Sequence, residues 1–274
     1  MARVMVMFDF LKGLDKDLGD ALLIQLRNLW THTSTALEGN TLTLGETAFV
    51  LEEGLTISGK PLKDHEEVTG HARAIDLVYR LTQKGVDLTE QDLFALHRAV
   101  QTELIIDAYK PVGAWKVEPN STVIVTDDRQ VIFEYASPKD VPTLMKAWQD
   151  LFAKINKETA TYNEDALASY AGLHAAFVRI HPFWDGNGRM ARLLANIPVL
   201  KAGLPPIIIP KERRREYIQV LSEYHLAVGT ITAKDELLPA IGKLDGLKRF
   251  CQESWFESLR LVDEVHKKQR TRGQ

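Results

Sequence analysis

The stretch His181-Pro182-Phe183-Trp184-Asp185-Gly186-Asn187-Gly188-Arg189-Met190-Ala191-Arg192 gathers a titratable base, a carboxylate, a glycine-bounded amide and two guanidinium groups into twelve residues. Gly186 and Gly188 free the backbone to bend just before a mostly apolar run, residues 193–200, whose length and composition suit a helix. The bend therefore falls at a helix N-terminus, where unpaired N–H groups and the positive end of the helix dipole form an anion site. Asn187 can add a side-chain amide donor. Arg189 and Arg192 are three apart, so on a helix they share a face and can hold a polyphosphate with planar, permanently charged donors. Asp185 beside this cradle suits Mg²⁺, which binds through one or two carboxylates plus phosphate oxygens. His181, just outside the loop, is left free to take a proton from an incoming hydroxyl. A lone histidine or a lone Gly-x-Gly carries little weight, but a purely structural loop has no need of all these groups together.

At these residues the sequence resembles the Fic domain family, whose signature His-x-Phe-x-Asp/Glu-Gly-Asn-Gly-Arg-x-x-Arg is matched at every fixed position. The resemblance implies AMPylation: transfer of AMP from ATP onto a protein hydroxyl, with Mg²⁺. It implies His181 as general base and Asp185 as the metal ligand. Gly186, Asn187 and Gly188 are then expected around the α-phosphate, with Arg189 and Arg192 on the outer phosphates.

Residues 17–37 carry Leu18, Leu22, Leu26, Leu29 and Trp30 at helical spacing, and Gly39 and Asn40 are natural stops. Glu38 at the end of that helix is disfavoured by the dipole and gains from a cationic partner. Ser34, Glu38 and Gly39 match the Ser/Thr-x-x-x-Glu-Gly/Asn pattern of the inhibitory helix that a subset of Fic proteins carries. That resemblance implies that Glu38 pairs with Arg192 and blocks the seat of the ATP γ-phosphate, in the subclass whose inhibitor lies N-terminal to the core.

Further helices are predicted over residues 44–53, opened by a Thr43/Glu46 capping box, and over 64–83, stopped by Gly85. The next is capped by Thr89 and Asp92 and aligns Leu93, Leu96, Val100 and Leu104. His65, His71 and His97 lie in or beside these helices without spaced partners and read as structural. Residues 122–126 and 131–135 are β-branched and aromatic runs around Asp127-Asp128-Arg129-Gln130, the pattern of a hairpin. In Fic proteins the corresponding element is a flap that positions the target. Gly113-Ala114-Trp115-Lys116 precedes it, and Lys116 departs from the arginine of many relatives.

A helix over 142–155 should turn Leu144, Ala147, Trp148 and Leu151 inward, and 165–180 reads as a buried central helix in which His174 is a core residue. Residues 192–202 should form a second central helix kinked at Pro198, followed by a helix over 211–228. Tyr217 and Tyr224 there are either core residues or platforms for adenine. The last segment, 234–274, is helical in period, with Gly242 and Gly246 as breaks and a frayed end at 266–270.

With 274 residues, 45% hydrophobic and 26% charged, the chain has the balance of a globular protein with a sizeable core. A net charge of −3 offers no general attraction for nucleic acid, and the basic run 211–215 reads as a solvated face. A single cysteine, Cys251, excludes intrachain disulfides and fits a reducing, cytoplasmic setting. Residues 1–11 are too short an apolar run to span a membrane, although an effector secreted without a cleavable signal would look the same.

The expected fold is mainly α, a Fic-type helical core with a small β-hairpin flap. Residues 1–62 would hold the inhibitory helix (18–38), 63–230 the catalytic core with the flap (113–138), and 231–274 a helical extension. The expected function is that of a protein adenylyltransferase acting with ATP on Ser, Thr or Tyr of a protein target, or on itself, with no membrane or nucleic-acid partner. Two alternatives stay open: a hydrolase that removes AMP using water held by Glu38, and a nucleotide-sensing module without transfer.

Overall fold

The computed structural model describes residues 8–84, 87–102, 107–126, 129–157, 163–239 and 242–272. Most of residues 1–11, and Gly85, Leu104, Asp127 and Asp128, which figure in the sequence expectations, lie outside them. The order is α1 (Lys16–Ala36), α2 (Leu44–Glu53), α3 (Leu62–Lys84), α4 (Glu90–Val100), β1 (Ser121–Val125), β2 (Gln130–Glu134), α5 (Val141–Lys157), α6 (Asn163–Ile180), α7 (Asn187–Leu194), α8 (Asn196–Lys201), α9 (Arg214–Val228) and α10 (Lys243–Arg272). The fold is mainly α with one antiparallel hairpin, as expected.

α6 is the axle. Tyr170, Ala171, Leu173, Ala175, Ala176, Phe177 and Ile180 are sealed from solvent, and α5, α7, α8 and α10 pack around them. Small alanines alternating with large rings let neighbours approach on several sides at interior density. Trp148 of α5 fills one side and donates from Nε1 to the Leu173 carbonyl at 3.0 Å, so its polar edge is satisfied in the core. On α5 the inward face is Val141, Leu144, Met145, Trp148 and Phe152. Ala147, expected inward, is exposed, because the buried stripe runs along the 141, 144/145, 148, 152 rows.

Helix starts follow local chemistry. Thr43 and Thr89 each accept from the amide three residues on, while Glu46 and Asp92 bond back to the threonine amide. The predicted kink at Pro198 is a division: α7 ends at Leu194 and α8 begins at Asn196, since Pro198 has no N–H for the Leu194 carbonyl. At the C-terminus two expectations fail. Gly246 lies within the first turn of α10 and does not break it. The 266–270 segment is ordered helix, because His266 Nε2 bonds the Phe10 carbonyl at 2.9 Å and Arg272 bonds Asp17 at 2.8 Å.

The hairpin register pairs Ser121 with Glu134 and Val125 with Gln130, so Gln130 belongs to the strand and not to the turn. Ile124 and Phe133 face the helical body while Val123, Val125 and Ile132 face out. A hairpin alone is marginal in water. Here Phe133 stacks on His225 of α9 (centroids 4.8 Å), and Thr230 donates to the Glu134 carbonyl at 2.8 Å.

Thr89→Ala removes the N-cap of α4 and is expected to cost about 1 kcal/mol. A lowered urea midpoint with unchanged slope is the check, and an unshifted midpoint would show that α4 is held by packing alone.

Candidate active site

Pro182 disfavours the right-handed helical region for the residue before it, and α6 accordingly ends at Ile180, one residue short of His181. His181 takes the left-handed conformation, φ 54, the one non-glycine residue among those described with positive φ. Its amide still bonds the Phe177 carbonyl at 2.9 Å, closing the helix. Such a conformation costs about 1–3 kcal/mol and persists only where neighbours fix it. They do: Tyr135, at the exit of β2, stacks flat on the imidazole, 3.7 Å between centroids and 10° between planes. Nδ1 lies 3.2 Å from the Val178 carbonyl, which assigns the proton to Nδ1 and leaves the Nε2 lone pair free. Desolvation, and then the nearby Lys116 cation, push the imidazole down to about 3, so it is a neutral base at physiological pH.

The loop that follows is held from several sides. Asn187 accepts from the Phe183 amide at 2.9 Å and donates to the Phe183 carbonyl at 2.8 Å. Its side chain, expected from sequence as a free donor, is here committed to the shape of the loop. Gly186 N-caps α7 at φ 76, a conformation that favours glycine. Gly188 is required by space: a Cβ there would meet Glu38 Oε1 at 2.7 Å and Arg192 Nη1 at 3.1 Å.

Arg189 and Arg192 do not share partners despite their spacing. Arg189 donates to the Val100 carbonyl at 3.1 Å, and to Gln101 Oε1 and Asp185 Oδ2 at 3.3 Å, capping the negative end of α4. Arg192, with its side chain 3% exposed, turns to α1. It donates from Nε to Ser34 Oγ (3.0 Å), and from Nη2 to the Ser34 carbonyl (2.9 Å) and Glu38 Oε1 (2.7 Å). Its Nη1 reaches the Tyr217 hydroxyl at 3.4 Å. Partial burial pushes the Glu38 carboxyl up, but Arg192, then Arg189 and Arg214, outweigh it and hold it below the usual carboxylate range. Arg214 also donates to the Leu37 carbonyl at 2.6 Å, a cation at the end of α1. The carboxylate disfavoured by its own helix dipole is thus met by cations of α7 and α9.

Two residues, His97, read as structural from sequence, and Arg179, not singled out there, prove to organise the site. His97 of α4 donates from Nε2 to the Asp185 carbonyl at 3.1 Å, accepts the Gly113 amide on Nδ1 at 2.8 Å and stacks on Phe183 at 3.9 Å. It joins α4, the loop before the flap and the 181–188 loop. Arg179, two residues before His181, is buried and gathers the carbonyls of Val228, Gly229, Glu236 and Leu237. That pins the segment whose Thr230 reaches the flap. Arg179's place just before the 181–192 stretch was the one signal of its role, and His97, far from that stretch in the chain, had none. Tyr217, by contrast, bonds His174 Nε2 at 2.8 Å, and it and Tyr224 are buried, which makes them core residues and not open platforms for a base.

Chemically the site combines a neutral imidazole with a free lone pair, the N-terminus of a buried helix, two guanidinium groups and an exposed carboxylate. Such a set suits displacement at phosphorus by a hydroxyl. Asp185, its side chain 53% exposed and among the described residues paired only with Arg189, is chemically suited to a divalent cation shared with phosphate oxygens. Among the described residues no cluster of three or more His, Cys, Asp or Glu could hold a metal without such oxygens. No helix among them is long and apolar enough to cross a membrane.

The sequence profile of the Fic/DOC family matches residues 87–198. The chain is 33% identical over 191 residues to the protein adenylyltransferase fic-1 of Caenorhabditis elegans, covering 69% of this chain and 35% of that one. With the protein adenylyltransferase Fic of Drosophila willistoni it shares 32% over 189 residues, again 69% and 35%. The chain thus spans about a third of the length of these relatives. Among solved structures, a Fic domain containing signaling protein from Bacteroides thetaiotaomicron superposes with a TM-score of 0.78 at 28% identity, covering 93% of this chain and 94% of that one. Fic-1 from C. elegans superposes at 0.65 and 27%, covering 98% and 68%.

The buried histidines give the site a pH dependence. Desolvation, the first cause in each case, pushes His97 and His225 down to about 4 and His174 and His181 down to about 3. Between these values and the free value of 6.5 the unfolded chain binds more protons than the folded one. Stability should therefore be complete above about pH 6.5 and decline progressively as pH falls toward 4. Urea midpoints across this range test it, and a flat profile would show that these rings are not held neutral.

Proposed function

The chain carries a Fic/DOC-family domain over residues 87–198, and from that premise we propose that it is a protein adenylyltransferase held in check by its own Glu38. In the proposed reaction a Ser, Thr or Tyr hydroxyl of a protein target, or of the chain itself, attacks the α-phosphorus of ATP. The bond from hydroxyl oxygen to phosphorus forms, the bond to the departing pyrophosphate breaks, and the hydroxyl proton passes to His181 Nε2. The Nδ1 contact with Val178 and the stack on Tyr135 support this role, since they leave that one nitrogen open and the ring unable to swing. Gly186, Asn187 and Gly188 at the start of α7 would supply backbone N–H groups to the α-phosphate, and Arg189 and Arg192 would take the outer phosphates. Asp185 would hold Mg²⁺, which when bound neutralises charge on the phosphates. The lone, buried Cys251 suits a reducing cytoplasmic setting.

The observation that carries the inhibitory half is the 2.7 Å pair between Arg192 Nη2 and Glu38 Oε1, with the carboxylate lying over Gly188. A carboxylate at that spot occupies the mouth of the helix N-terminus and the donor that an outer phosphate would use. ATP entering beside it is displaced from the position in which its α-phosphorus lines up with the hydroxyl.

The same placement favours a second reading. The Glu38 side chain is 40% exposed and could orient a water toward an AMP-modified hydroxyl, making the protein a hydrolase. Incubating a pre-modified target with wild type and Glu38→Gly separates the two, because hydrolysis requires the carboxylate and transfer is restrained by it. A nucleotide-sensing module without transfer has no use for an oriented imidazole beside the anion site.

His181→Ala should reduce transfer by about 10²–10⁴-fold while leaving ATP affinity nearly unchanged, because the imidazole acts on the nucleophile's proton and not on the phosphates. Calorimetry of ATP binding beside a radiolabel transfer assay checks both, and an active variant would remove His181 from the mechanism.

Glu38→Gly should raise transfer by tenfold or more, equivalent to relieving at least ~1.4 kcal/mol of misplacement. Arg192→Ala in the same background should cancel the gain, since that guanidinium is the group released. Equal rates for wild type and Glu38→Gly at saturating ATP and Mg²⁺ would mean that α1 does not restrain the site.

A further inference from the structure

Lys116 is 2% exposed, and among the described residues no carboxylate pairs with it. Its amide donates to the Pro182 carbonyl at 2.9 Å, one residue beyond His181, and its Nζ donates to Asn120 Oδ1 at 2.6 Å. Asn120 in turn donates from Nδ2 to the Phe183 carbonyl at 2.9 Å and accepts the Tyr135 amide on its own carbonyl at 3.2 Å. Tyr135 is the ring that stacks on His181. Lys116 and Asn120 thus bind the root of the flap, the two residues after His181 and the platform of the imidazole into one unit. A buried ammonium is costly, and placing one where a leucine or methionine would fill the space calls for a reason beyond packing.

We propose that Lys116 is a positioning residue for the general base: through Asn120 its side chain holds the flap root onto Phe183, and in the acid range it sets a cation beside His181. The main-chain bonds to Pro182 and from Tyr135 set the frame, and the Lys116 side chain adds to it by fixing the Asn120 amide that holds the Phe183 carbonyl. The hydrogen bonds hold His181 and Tyr135 face to face, so that Nε2 points where a target hydroxyl lying along the flap would sit. The charge discourages the imidazole from carrying a proton before the hydroxyl arrives. The other groups around that ring are Tyr135, stacked at the exit of β2, His225 of α9, and the Val178 carbonyl of α6, which acts in the opposite sense at Nδ1. Desolvation pushes the Lys116 ammonium down to about 7, so it is charged throughout the acid range in which His181 titrates.

The inference rests on the transferase reading for its kinetic consequences, and the test separates the two. In the full-length chain carrying Glu38→Gly, Lys116→Met should lower kcat for self-modification with labelled ATP and Mg²⁺ by tenfold or more, with the KM for ATP within twofold. The acid limb of the pH–rate profile should move upward by about one pH unit, as expected when a nearby cation is removed. Lys116→Arg should restore both, which a lost packing contact would not permit. Independently of activity, the His181 ring resonance of histidine-labelled protein should titrate at higher pH in Lys116→Met than in its parent. An unmoved titration midpoint, or a kcat loss that Lys116→Arg does not rescue, overturns the proposal. If the Glu38→Gly parent transfers nothing, the transferase reading fails and the resonance still decides the role of Lys116. Should Lys116→Met not fold cooperatively, Lys116→Gln, which removes the charge and keeps an amide donor for Asn120, should move the same midpoint in the same direction, and no movement there counts against the proposal.

Discussion

The reversal of the chain between the end of α6 and the start of α7 is the constraint on which the remaining structure depends. One buried helix must stop and another begin within six residues, from His181 to Gly186, inside the protein. Proline forces the stop, and the left-handed histidine and glycine at either end make the turn tight enough. Neither feature would hold by itself. Bonds from Asn187, His97, Asn120 and Lys116 satisfy the loop's backbone groups, so α4 on one side and the segment leading into the flap on the other are arranged to deliver those groups. The strain at His181 is supported by packing from several elements, which keeps the imidazole in one orientation.

Arg192 shows a related economy. A guanidinium with 3% of its side chain exposed must have its donors filled or it destabilises the fold by several kcal/mol. Ser34 and Tyr217 fill most of them, and Glu38 supplies the one charged acceptor. Losing Glu38 leaves the neutral partners in place. The arginine therefore stays positioned with charge to spare, as the proposed site for an incoming phosphate requires, and the packing of α1 against α7 is a structural contact that the proposed function also makes a restraint.

Four of the histidines with lowered pKa divide into two kinds of work. His174 and His225 fill the core, bonded to Tyr217 or stacked on Phe133. His97 and His181 stand at the loop, one holding its backbone and the other offering a lone pair. All four are kept neutral by desolvation, so near neutral pH the core carries no charged imidazole, and the lone pair of the proposed base stays unprotonated.

The 181–192 stretch and the Ser34–Gly39 pattern were readable in the sequence because their chemistry is local: glycines at a bend, charges at a helix start, a carboxylate at the wrong end of a helix. Helix periods and the capping boxes at Thr43 and Thr89 likewise depend on neighbours within a turn or two, and they placed α1 to α4 with little error. Long-range partners were not legible. Nothing near His97 in the chain signals that it will bond Gly113 and Asp185, and nothing near Lys116 signals burial against Pro182 and Asn120. The divergence of Arg189 and Arg192, which helical spacing had put on one face, was set by which neighbours, α4 or α1, lay within reach of each guanidinium. Ala147, Gly246 and the 266–270 end were misjudged for the same reason. Exposure and fraying depend on what packs opposite, and a contact such as His266 with Phe10, 256 positions apart in the chain, exists only once the fold has closed.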